Sequence, residues 1–150
     1  MNPQKIAHLS WVREPVKKSI AQSKQAMIDF TERRDRINTP PAGAEHIWFA
    51  KQNEALEKSS ELLLDSLSQI ESALMVIQCT GGHVLAKELL TLASVAISIS
   101  DPSEQDRALL AIQESMSVLP DFIGMVIEGA NDAPGVLLKY INELRALRNV

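Results

Sequence analysis

Apolar residues recur along this chain at intervals of three and four, the spacing of one face of an α-helix. Val16, Ile20, Met27 and Phe30 form a first stripe, with Ser23 standing in the same row. The pattern predicts a helix from Ser10, as N-cap, into the 30s, with Pro15 early enough to be tolerated. Asn38-Thr39-Pro40-Pro41-Ala42-Gly43 follows, and paired prolines beside a glycine read as a loop. A second, long helix is predicted from about His46 to Cys79. Its inward stripe is Leu63, Leu67, Ile70, Leu74 and Ile77, and Gly81-Gly82 is the expected end.

A third helix carries Leu85, Leu89, Leu92, Ala96 and Ile99 on one face. Ser100-Asp101-Pro102-Ser103-Glu104 then reads as a helix start, with Asp101 as N-cap, Pro102 at the first helical position and Glu104 reaching back. The fourth helix bends at Pro120 and closes at Gly129. Asn131 or Asp132 caps a last helix containing Leu137, Ile141 and Leu144. Short connections between amphipathic helices imply antiparallel neighbours, so the expected fold is all-α, an antiparallel helical bundle forming one domain over residues 1–150. No internal repeat is evident. The last helix runs almost to Val150 with no tail after it, which leaves open that the chain is the N-terminal fragment of a longer protein.

Composition narrows the function classes. Apolar residues are 45% and aromatics only 4%, which suits Leu- and Ala-rich packed helices. The net charge of −4 argues against a nucleic-acid face. The one dense basic run, Arg33, Arg34 and Arg36, is interrupted by Glu32 and Asp35 and reads as a solvated helix end. A single cysteine, Cys79, cannot form an internal disulfide. The N-terminus is too polar for a signal peptide, and no apolar run reaches the ~20 residues of a membrane helix. The expected setting is the cytoplasm, without membrane insertion.

Chemistry-bearing motifs are sparse. His8, His46 and His83 belong to no metal motif, and no cofactor is expected. Gly81-Gly82 lacks the strand before it and the Gly-Lys-Ser after it that a phosphate loop needs. Cys79 has no assignable histidine partner, the glycine pair being expected to separate it from His83. Histidine phosphotransfer is the one reaction that suits a helical bundle. It needs an exposed His with a cation and a small residue nearby, as in His-x-x-Lys-Gly-x. His83 has Lys87 four residues on and Glu88 where the glycine should be, and it reads as a turn residue.

Leu67-Ser68-Gln69-Ile70-Glu71-Ser72-Ala73-Leu74, continuing through Thr80-Gly81-Gly82-His83-Val84-Leu85-Ala86-Lys87-Glu88-Leu89, resembles the histidine-phosphotransfer-like N-terminal domain of the FimL family. That domain is related to the N-terminal region of the chemosensory kinase ChpA, or PilL. His8-Leu9-Ser10-Trp11-Val12-Arg13 is similar to the family's opening. Leu119-Pro120-Asp121-Phe122-Ile123, with Asp132-Ala133-Pro134 and Asn142-Glu143-Leu144-Arg145-Ala146-Leu147-Arg148, is similar to its close. The resemblance implies a bundle of the histidine-phosphotransfer type with an extra helix. It also implies that the phosphorylatable histidine falls at Ser68, the cation at Glu71 and the glycine at Ser72. None of the three requirements is met, so the implied domain is degenerate and not an enzyme.

The face opposite the apolar stripe of the second helix holds Glu61, Asp65, Ser68, Ser72, Met75 and Cys79. Asp65, Ser68, Glu71, Ser72 and Met75 are the candidate protein-interaction residues, with Ser68 expected in solvent at mid-helix. The resemblance implies a scaffold in the chemosensory control of type IV pili and twitching motility, with response regulators or a polar scaffold protein as partners. Two alternatives stay open: active phosphotransfer through His83, and a self-associating homo-oligomeric bundle.

Overall fold

A computed structural model of the chain describes residues 3–131 and 134–148. The elements are α1 (Pro3–Asn38), α2 (His46–Val76), α3 (Thr80–Ala96), α4 (Pro102–Met116), α5 (Leu119–Ile127), a 3₁₀ turn (Pro134–Leu137) and α6 (Leu138–Arg148). No strand occurs among the described residues. α1, α2 and α3 are three arms of an antiparallel bundle, and α4 with α5 forms the fourth. Thus Arg33 on late α1 reaches Gln52 on early α2, while Ser19 on early α1 reaches Gln69 on late α2. Likewise Arg34 meets Asp106 on α4, while Arg13 lies over Gly124 on α5. The extra helix, α6, packs on α3 and α4.

Each apolar stripe faces the common core. Val16, Ile20, Met27 and Phe30 are buried, as are Leu63, Leu67, Ile70 and Leu74, then Leu85, Leu89, Leu92 and Ala96. Ser23 is also buried, and its hydroxyl donates at 2.8 Å to Ser66 Oγ, which in turn donates to the Leu62 carbonyl at 2.8 Å. Two small hydroxyls thus satisfy each other where α1 and α2 meet. Prolines 40 and 41 lie outside any helix.

Several boundaries differ from the sequence reading. α1 begins at Pro3, so Ser10 is an exposed mid-helix residue and not an N-cap. The stripe extends one heptad earlier through the buried Leu9, which keeps the segment helical. Pro15 consequently lies in the helix interior. Trp11 and Pro15 are both exposed, so the carbonyl deprived of its i+4 donor can meet water.

α2 ends three residues before Cys79, and Gly81-Gly82 do not end it. Gln78 takes the left-handed conformation (φ 58°). Gln78 N–H donates to the Met75 carbonyl and Cys79 N–H to the Leu74 carbonyl, each at 3.0 Å, a Schellman closure. The two glycines instead open α3 and are buried. A β-carbon on Gly82 would come within 3.2 Å of Leu74 Cδ1 and 3.3 Å of Cys79 Sγ, so its smallness admits the close approach of α3 to the end of α2.

Asp101 caps α4 as expected, accepting from Glu104 N–H at 3.2 Å, with Pro102 in the first turn. The fourth arm is broken at Ser117-Val118, and Pro120 lies in the first turn of α5 in place of bending one helix. Gly129 (φ 105°) closes α5, with Ala130 N–H donating to the Met125 carbonyl at 2.9 Å. Asn131 precedes the final 3₁₀ turn, and the alternative cap Asp132 lies outside the described residues. Within Pro102–Ile127 an 18-residue stretch reaches a mean hydropathy of 1.3, apolar enough by length and composition to cross a membrane, where no such run was expected. Its large apolar residues Ile112, Met116, Leu119, Phe122 and Val126 are buried inside the bundle, as a core arm requires.

Two charged seams fasten the outer elements. Glu88 on α3 is buried, its side chain 8% exposed, and faces Arg145 at 3.0 Å and Arg148 at 2.8 Å on α6. Arg34 corrects the reading of the basic run as wholly solvated: its side chain is only 11% exposed. It lies 2.6 Å from Asp106, 3.1 Å from Gln105 and 2.9 Å from Asp35. Burial alone would push the guanidinium down, but hydrogen bonds and attraction to the two carboxylates outweigh it and hold it above its ordinary range. Gln105 in turn donates to the Ala96 and Ile99 carbonyls at 2.9 and 3.2 Å, satisfying the end of α3.

Candidate functional site

The outer side of α2 is set by helical phase against Leu63, Leu67, Ile70 and Leu74. Successive residues rotate by about 100°, so Asp65, Ser68, Ser72 and Met75 fall on the far side from that stripe. Asp65 and Ser72 are exposed, and Met75 is 52% exposed. Ser68 lies at mid-helix as expected but is half-buried and not fully in solvent. Cys79 departs from the expected face altogether. It is fully buried because α2 has already ended and the chain turns back there into α3.

Glu71 is half-buried and engaged. Its Oε1 lies 3.1 Å from His83 Nε2. His83 is therefore not a turn residue; it sits in the first turn of α3, and its N–H donates to the Cys79 carbonyl at 2.8 Å. The glycine pair expected to separate Cys79 from His83 lies within one helical turn joining them. The contact stitches the end of α2 to the start of α3. It also places a carboxylate against the one imidazole nitrogen it reaches, where a phosphoryl group would be repelled.

Two further residues widen this face. Leu62 is exposed, and Val76, in the last turn of α2, is 76% exposed. The sequence held a signal for both, since each adjoins the core stripe without belonging to its phase. No cluster of three or more His, Cys, Asp or Glu side chains able to hold a metal ion occurs among the described residues.

By its geometry the chain is an all-α helical bundle with an additional helix packed across α3 and α4. By its sequence it belongs to a FimL-like family. It is 31% identical over 104 residues to scaffold protein FimL of Pseudomonas aeruginosa, a match covering 69% of this chain and 18% of that protein. The chain thus corresponds to less than a fifth of that relative's length. No family model matches the chain, and no solved structure matches it.

Proposed function

We propose that this chain is a non-catalytic scaffold module that binds a protein partner through the outer face of α2, in the chemosensory control of type IV pili and twitching motility. The observation that carries the scaffold reading is the likeness to a relative named as a scaffold protein. The binding face comprises Asp65, Ser68, Glu71, Ser72 and Met75, with exposed Val76 at its edge. Exposed apolar side chains among short polar ones give a partner area to bury and hydroxyls to bond. The partner classes that suit it are receiver-type response regulators and polar scaffold proteins, in the cytoplasm.

The bundle is read as a degenerate phosphotransfer fold of the histidine-phosphotransfer type. At the phosphoryl-carrier position Ser68 lacks an imidazole, and at the cation position Glu71 carries the wrong sign. Active transfer through His83 is disfavoured by the same carboxylate, which occupies Nε2. Incubation with a phosphorylated receiver domain tests both statements. The wild-type chain should bind the receiver without acquiring label, and Asp65→Arg with Met75→Asp should weaken binding about tenfold or more. Stable label that disappears in His83→Ala would overturn the non-catalytic reading. Unchanged affinity in the double variant would overturn the α2 face.

A further inference from the structure

α4 faces α2 across the core diagonal of the bundle, and its outer side carries a second, unrelated surface. Leu110 is 55% exposed there, and Ile28 on neighbouring α1 is 50% exposed. A groove of about 320 Å³ runs beside Leu110 between α1 and α4. Another of about 350 Å³ runs on its other side, towards Leu147 on α6. The apolar surface is therefore three helices wide and centred on Leu110.

Arg107 and Glu114 stand at either end of this centre. They are seven residues apart, hence on one stripe of α4 with Leu110 and Ala111 between them. Both are exposed, and among the described residues neither side chain has an ion-pair or hydrogen-bond partner. That contrasts with Arg34 and Asp106 nearby, which are paired within the fold. A stripe reading positive, apolar, negative is its own complement when reversed. An antiparallel crossing about a two-fold axis between Leu110 and Ala111 sets each Arg107 opposite the partner's Glu114, twice over, with both Leu110 side chains buried between the pairs. A parallel crossing would set like charge on like.

We propose that this face joins two copies of the chain, with α4 packed antiparallel on α4 through Leu110, Arg107 and Glu114. The surface is independent of the α2 face, so either reading can fail alone.

Sedimentation equilibrium of the 150-residue chain over a wide concentration range tests it. The wild type should approach twice the monomer mass. R107E and E114R should each weaken association by about tenfold or more, through like-charge contacts, with helical circular dichroism unchanged. An equimolar mixture of R107E and E114R should associate again, because each copy then supplies the sign the other lacks. The double variant R107E/E114R should also recover the dimer. A wild type that stays monomeric at all concentrations would overturn the proposal, as would single variants that dimerise normally or a mixture that does not recover.

Discussion

Between α1 and α2 the buried polar groups are neutral hydroxyls, whereas between α3 and α6 they are charges. Ser23 and Ser66 lie 2.8 Å apart and each is already able to bond a backbone carbonyl of its own helix. Their role is chiefly spatial, since small side chains let two long helices approach. Glu88 has no such local fallback. It lies buried, and Arg145 and Arg148 are the cations that reach it. A buried carboxylate without a partner is strongly disfavoured, so this seam fixes which face of α6 meets α3. The same bundle therefore joins one pair of helices by shape and another by electrostatic register.

The comparison breaks most visibly at Ser66. Ser66→Leu forces a branched side chain into a close α1–α2 contact and should destabilise the fold by about 3 kcal/mol, the upper range for overpacking. A urea midpoint unchanged from wild type would show that the contact is loose. Glu88→Ala should cost about 1.5 kcal/mol. The figure is modest because both arginines are partly exposed and can turn to water. Its signature is local: hydrogen exchange should speed up in α6 and stay unchanged in α1 and α2. Uniform acceleration would show that α6 is not held separately by this seam. The smallest effect belongs to the double change Ser23→Ala with Ser66→Ala. It removes both partners of a buried hydrogen bond and should stay within about 0.5 kcal/mol of wild type. A loss several times larger would mean that the hydroxyls hold the helices together and do not merely make room.

The helices themselves were legible because burial repeats with the helical period. Leu63, Leu67, Ile70 and Leu74 announce which side of α2 is buried without reference to any other segment. The Asp101 cap was equally plain, because a cap and its N–H partner lie three residues apart. The end of α2 was not. Gln78 occupies the left-handed position usually held by glycine, at about 1 kcal/mol or more of intrinsic cost, while Gly81 and Gly82 lie just beyond it, in the first turn of α3. Of the candidate site, Asp65, Ser72 and Met75 lie where helical phase put them. Ser68 is more covered than phase alone implied, and Cys79 is enclosed by a reversal that phase cannot foresee.

What the sequence determined by itself was in each case set within a few residues: the helical period, the inward stripe of each helix, the break at Pro40-Pro41 and the cap at Asp101. The tertiary structure alone decided which polar side chains meet. Ser23 with Ser66, Glu71 with His83, Arg34 with Asp106 and Glu88 with Arg145 join residues 12 to 72 positions apart. Local spacing carries no information about such pairs, because each forms only when the helices carrying it are brought together by burial of their apolar faces.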